Sequence, residues 1–184
     1  CDGSLLALNS YENRVYQVGI VDAPPLVAKF YRPQRWSDAA ILEEHAFAQE
    51  LHEREIPVVA PLPLAGGRTL HHAQGFRFAV FPRRGGRAPE LDRPDTLQWM
   101  GRFLGRIHAV GAVAPFRERP CLDIAGFGEA SRDYVLAHGF LPEDLRTAWC
   151  SVVDQSLDGA RRCYARAGAV ASIRLHGDCH AGNV

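Results

Sequence analysis

His176, Asp178 and Asn183 stand at the spacing H-x-D-x-x-x-x-N. That is the spacing of a loop that carries out phosphoryl transfer. Such chemistry needs a carboxylate beside the attacking hydroxyl and an oxygen ligand for the magnesium that bridges the phosphates. Asp178 suits the first role and the side-chain carbonyl of Asn183 the second. Gly177 and Gly182 allow the loop to turn tightly beside a ligand. Two other readings of the same residues stay open. One is a polar surface loop, in which His180 braces the turn. The other is a zinc or iron cluster formed by His176-x-Asp178-x-His180, although no further ligand cluster accompanies it in the sequence. Cys179, beside the carboxylate, is a candidate redox-sensitive thiol.

A second set of residues lies far upstream. Lys29 is the only lysine among 21 basic residues, so a chain that otherwise uses arginine keeps one compact ammonium. Lysine is a point charge and arginine a planar fork, and at a tight site they do not substitute for each other. Lys29 followed 15 residues later by Glu44 matches an ATP site, in which the ammonium holds the α- and β-phosphates and the carboxylate aims it. Glu43 competes for that role, but about 100° of helical rotation separates the two, so one alone can face a cleft.

Local patterns supply the elements that hold these residues. Asn13–Val18 and Leu26–Tyr31 read as a hairpin across a turn at Gly19–Pro25, with Lys29 sharing a face with Val27 and Tyr31. Ser37 is an N-cap candidate for a helix from Ala39 to Arg54, with Asp38 in its first turn. Short strands are expected around Pro61–Ala65 and Phe76–Phe81, with His71-His72 in a turn-like stretch between them. Pro82–Gly86 breaks the pattern and is a candidate linker. Helices follow over Pro94–Gly111 (capped by Asp92), Glu129–Ala137 and Pro142–Arg166. Ala169–Leu175 reads as a strand feeding the His176 loop. The architecture is α+β, with an N-terminal sheet lobe over 1–82 and a mostly helical lobe beginning at 83 and running to 184.

Composition fits this picture. Apolar residues make up 47 % and charged residues 23 %, with 21 basic and 21 acidic residues balancing to zero, so no global field attracts nucleic acid or a membrane surface. No apolar run approaches the roughly 20 residues of a membrane span, and no signal-peptide pattern opens the sequence. The five cysteines are scattered and never spaced CxxC, which argues for a reducing cytoplasm. A cytoplasmic monomer is the expectation.

Several segments, in order along the whole chain, resemble the aminoglycoside phosphotransferase/choline kinase superfamily. They are Ser10–Arg14 (SYENR), Ala28–Pro33 (AKFYRP), Leu42–His45 (LEEH), Phe78–Pro82 (FAVFP), Leu104–His108 (LGRIH) and Leu175–Asn183 (LHGDCHAGN). Within it the sequence is similar to the bacterial stress response kinase A family, whose members phosphorylate protein serine and threonine. The resemblance implies a bilobal protein-kinase-like fold using ATP and Mg2+. It implies Asp178 as the base, Asn183 as a magnesium ligand, and Lys29 with Glu44 as the phosphate clamp. It further implies a loop over the phosphates at Ser10–Asn13 and an adenine hinge at Phe81–Arg83. The acceptor it implies is a protein hydroxyl. A small-molecule kinase of aminoglycoside, choline or homoserine type, or a nucleotide-binding pseudokinase, is the alternative. Ser10–Asn13 departs from the glycine-rich loop of ordinary protein kinases. A second metal-binding aspartate is expected beyond Val184, and without it the 184-residue chain is not expected to be a competent kinase.

Overall fold

A computed structural model describes residues 1–184. Five antiparallel strands form one sheet in the order β1-β2-β3-β5-β4. They are β1 (Leu5–Leu8), β2 (Arg14–Ile20), β3 (Ala23–Phe30), β4 (His71–Ala73) and β5 (Phe76–Pro82). The central strand β3 pairs Lys29 with Val15 of β2 on one side and with Ala79 of β5 on the other. Lys29 is therefore held between two hydrogen-bonded neighbours and cannot slip in register without turning its side chain to the other face.

The β2–β3 turn is shorter than the sequence implied. Asp22 adopts φ 53°, a left-handed conformation that Asp tolerates better than most residues, so β3 begins at Ala23. Pro24 and Pro25 lie within β3 where pairing with β5 has not begun and the register with β2 is broken between Val18 and Ile20, a bulge position that tolerates proline.

Three expectations about strands and turns fail. Pro61–Ala65 is not a strand: Pro61 and Pro63 have no N–H to donate to a ladder, a single bond from Leu62 N–H to the Val80 carbonyl remains, and the chain passes into a 3₁₀ turn at Ala65–Gly67. His71-His72 does not lie in a turn but in β4, which pairs with β5 across Gln74-Gly75 (φ 49° and 81°), the positive-φ pair of a tight hairpin turn. Ala169–Leu175 is not a strand either. Its ordering bond runs from Arg174 N–H to the carbonyl of Gly111, at the end of a helix, at 3.2 Å. β1 was not anticipated; Leu5, Leu6 and Leu8 are exposed and show no alternation to reveal it.

Helix α1 (Asp38–Glu53) is capped by Ser37, whose Oγ accepts from Ala40 N–H at 3.1 Å. It buries two faces. Ile41, fully enclosed, joins Tyr31, Leu70 and Ala79 against the sheet, with Trp36 and Phe81 beside them. Phe47 and Leu51 join Ile56, Ile107 and Val110, with Val58 and Phe116 packed alongside. Ile107 and Val110 belong to α2 (Pro94–Gly111), so α1 is fixed between sheet and helix. Burying one such side chain contributes roughly 1.5–3 kcal/mol. Arg93, not Asp92, occupies the N-cap of α2, and it makes no side-chain cap; Pro94 in the first turn presets φ and has no N–H left to satisfy.

By compactness, Cys1–Glu118 with Ile173–Val184 forms one unit and Arg119–Ser172 another. The second unit contains a π-helical turn (Ile124–Glu129), α3 (Ala130–Ala137) and α4 (Glu143–Ala167). Asp123 caps the π-helical turn by accepting from Gly126 N–H at 2.7 Å. A Cβ on Gly128 would lie 2.4 Å from the Leu157 side chain, so a larger residue here would force that leucine of α4 to move. The fold class is α+β.

Candidate functional site

Lys29 Nζ and Glu44 Oε1 lie 3.4 Å apart, joining the C-terminal end of β3 to the second turn of α1. Lys29 also stands 4.9 Å over the Tyr31 ring, so its ammonium is held by a carboxylate and an aromatic face together. Both partners keep some exposure, 26 % for Lys29 and 39 % for Glu44, which leaves the ammonium able to meet a ligand. Glu43 is turned elsewhere. Its two carboxylate oxygens accept the backbone N–H groups of Arg117 (2.5 Å) and Glu118 (2.9 Å).

Behind this pair is a buried polar chain. Tyr31 Oη and His45 Nε2 are 2.7 Å apart, and His45 Nδ1 lies 2.9 Å from Thr69 Oγ1. His45 is 2 % exposed. Its pKa is pushed down to about 4, chiefly by burial, with Glu44 opposing the shift and Lys29 and His71 adding to it. The ring is therefore neutral near pH 7, with one nitrogen donating and the other accepting. Sequence reasoning missed this chain; the position of Tyr31, two residues from Lys29 on the same strand face, was its one available signal.

Ser10 and Asn13 form the turn between β1 and β2. Ser10 Oγ accepts from Asn13 N–H at 3.3 Å, and Asn13 Oδ1 accepts from Arg32 N–H, also at 3.3 Å. Glu12 pairs with Arg35 at 2.5 Å. The turn is thus tied to the residues that follow Lys29, without glycine. Phe81, in β5 opposite Val27, stands edge-on to His45 with ring centres 6.3 Å apart. Arg83 is exposed, just past the end of β5.

Asp178 and Asn183 are brought together within the terminal loop. Asn183 Nδ2 donates to Asp178 Oδ2 and to the Asp178 carbonyl, each at 2.9 Å. His180 braces the turn: its Nδ1 accepts from Gly182 N–H at 3.0 Å, and its carbonyl accepts from Asn183 N–H at 2.8 Å. His176 Nδ1 accepts from Asp178 N–H at 3.3 Å. Gly177 has φ 81°, a conformation that a side chain would strain. His176, Asp178 and His180 do not converge as a three-ligand metal cluster. Cys179 is exposed.

The oxygen atoms of Asp178 and Asn183 are hard donors, which suit magnesium rather than thiolate-seeking metals. The ammonium of Lys29 suits phosphate oxygens. The residues present therefore fit a nucleotide and a divalent cation.

Comparison with known proteins bears on the family and the fold. Over 183 residues the chain is 43 % identical to the serine/threonine protein kinase RdoA of Salmonella typhimurium LT2, and 42 % identical to stress response kinase A of Escherichia coli K12. It spans about half of these curated relatives: all of this chain, but 55 % of theirs. Among solved structures, amicoumacin kinase hAmiN in complex with AMP-PNP, Ca2+ and Ami superposes with a TM-score of 0.77 at 20 % identity, covering 99 % of this chain and 55 % of that one. A microcompartment-associated aminopropanol kinase gives 0.56 at 22 % identity, over 71 % and 43 %. These two likenesses establish the shared fold. The APH phosphotransferase family matches residues 4–184, and the chain belongs to that phosphotransferase enzyme family.

Proposed function

We propose that the protein transfers the γ-phosphoryl group of ATP to a serine or threonine hydroxyl of a protein, with Mg2+ as the metal. The observation that carries this reading is the Lys29–Glu44 pair, set on a central strand and an adjoining helix. The names of the relatives, kinases of protein serine and threonine or of the stress response, support the acceptor class.

In this reading residues 1–82 form the nucleotide-binding lobe and residues 83–184 the start of a helical lobe. Lys29 binds the α- and β-phosphates, and Glu44 keeps its ammonium aimed. The Ser10–Asn13 turn covers the phosphates with backbone amides, and Phe81 to Arg83 border the adenine. Asp178 orients the acceptor hydroxyl and takes up its proton at a carboxylate oxygen. The Asn183 amide nitrogen donates to Asp178, and its carbonyl oxygen is the atom that would hold the metal. Asn183 would hold magnesium bound with the nucleotide, which would supply neutralisation of charge on the transferring phosphate. A cytoplasmic site of action fits ATP as donor, and no helix of the chain is long and apolar enough to cross a membrane.

The deciding assay supplies γ-labelled ATP to the complete gene product together with a generic protein and a panel of aminoglycosides, choline and homoserine. Label on protein serine or threonine is the expected result. Label on a small molecule alone would replace the acceptor class.

A further inference from the structure

Helix α1 carries a second carboxylate with a distant partner. Glu50 follows Glu44 by six residues, which places it about 9 Å along the axis and turns it roughly 120° around it. Its Oε2 accepts from Arg174 Nη1 at 2.8 Å, while its Oε1 accepts from Arg54 Nη2 at 3.2 Å. One helix therefore offers one acid to Lys29 and another to Arg174.

Arg174 stands two residues before His176 and four before Asp178, and is only 9 % exposed. Its guanidinium lies over the Phe47 ring of α1, 4.3 Å from the ring centre. Its Nη2 donates to the Val110 carbonyl at 2.9 Å, and its backbone N–H donates to the Gly111 carbonyl at 3.2 Å, both in the last turn of α2. The backbones meet so closely that a Cβ on Gly111 would stand 2.2 Å from the Arg174 carbonyl oxygen. One residue thus ties the root of the Asp178 loop to α1 and to α2.

Stability alone does not account for this arrangement. Arg174 is buried and Glu50 partly so, and an Arg–Glu pair that loses water is often no better than apolar residues of equal volume. Arg174 Nε is, besides, buried without an acceptor. What the guanidinium fork does supply is direction, since its planar donors accept one geometry for each partner. Four residues reach at most about 14 Å, so an anchor at Arg174 restricts where Asp178 can stand relative to α1.

We propose that Arg174 is a positioning residue that locks the Asp178 loop to the helix bearing Glu44, so that phosphate clamp and base align on one substrate pair. This inference rests on the phosphotransfer reading above. Its test uses the complete gene product as wild type, Arg174→Met and Asp178→Asn, and the Arg174→Met/Asp178→Asn double variant. Methionine keeps an apolar stem over Phe47 but removes the fork. Misplacement of about 1 Å costs on the order of 10²-fold in rate, so Arg174→Met should lose about that in kcat. Nucleotide affinity should stay within about threefold, and the further loss in the Asp178→Asn background should also fall within about threefold, because residues acting as a unit are not additive. Should Arg174→Met fail to fold, Glu50→Gln removes the charge pairing at nearly constant shape and is expected to give the same split. A folded variant with unchanged kcat, a loss that simply multiplies that of Asp178→Asn, or a parallel collapse of nucleotide binding would each overturn the proposal. A wild-type protein that neither binds ATP nor transfers phosphate would instead overturn the functional reading on which it stands.

Discussion

Asn183 donates its side-chain amide to the Asp178 carboxylate at 2.9 Å, across a turn of five residues. The bond sets the amide nitrogen, not the carbonyl oxygen, against the acid. In the proposed site, Asn183→Leu removes both atoms. The divalent-cation concentration for half-maximal activity should rise 10- to 100-fold or more, about what disturbing a metal site costs. Titration of activity against Mg2+ at saturating ATP measures this, and an unchanged half-maximum would take Asn183 out of the metal site.

Adjacent acids on α1 should separate cleanly. Glu43→Ala removes the acceptor of two backbone N–H groups at Arg117 and Glu118. It should lower stability by about 1 kcal/mol and leave turnover within about threefold of wild type. Glu44→Ala leaves Lys29 without its carboxylate. Losing a charged contact of roughly 1.5–3 kcal/mol corresponds to about ten- to hundredfold in kcat/KM. Thermal melts and steady-state kinetics on the two variants check this, and a reversed pattern would mean that Glu43 is the functional acid.

His45 makes the fold sensitive to mild acid. Its pKa in the folded chain is about 4, below the ordinary 6.5, so folding favours the neutral ring. The resulting stability is fully present above pH 6.5 and is lost as pH falls from 6.5 towards 4, where the unfolded chain takes up a proton that the folded chain refuses. At 1.36 kcal/mol per unit the contribution is on the order of 3 kcal/mol. Burial dominates the shift; Glu44 works against it, while Lys29 and His71 reinforce it. His45→Gln keeps groups that can bond Tyr31 and Thr69 but does not titrate. Its melting temperature should fall less than that of wild type between pH 6.5 and 4.5, and equal slopes would refute the assignment.

The parts of the fold legible in the sequence are those with local causes. Ser37 before an amphipathic run set the start of α1, and the Lys29–Glu44 spacing matched a strand followed by a helix. Where the cause is non-local, the pattern misled. β4 is three residues long, and its existence depends on pairing with β5. Ala169–Leu175 has the apolar composition of a strand but bonds to the end of a helix. Helical rotation alone could not choose between Glu43 and Glu44; the resemblance favoured Glu44, the residue that pairs with Lys29, while Glu43 meets backbone amides at Arg117 and Glu118 that no periodicity announces. Arg174 looked like one arginine among 20, and only its burial between Phe47, Glu50 and Val110 distinguishes it.

The central claim, that Asp178 acts on the acceptor hydroxyl while Lys29 and Glu44 hold the nucleotide, is tested most directly by Asp178→Asn. This variant should fold normally, with asparagine close to the original shape. A positioned general base contributes on the order of 10²–10⁴ in rate. In the complete gene product, single-turnover transfer from labelled ATP should therefore fall by about that factor, while nucleotide affinity measured on the same sample stays close to wild type. Transfer at the wild-type rate by Asp178→Asn would contradict the account.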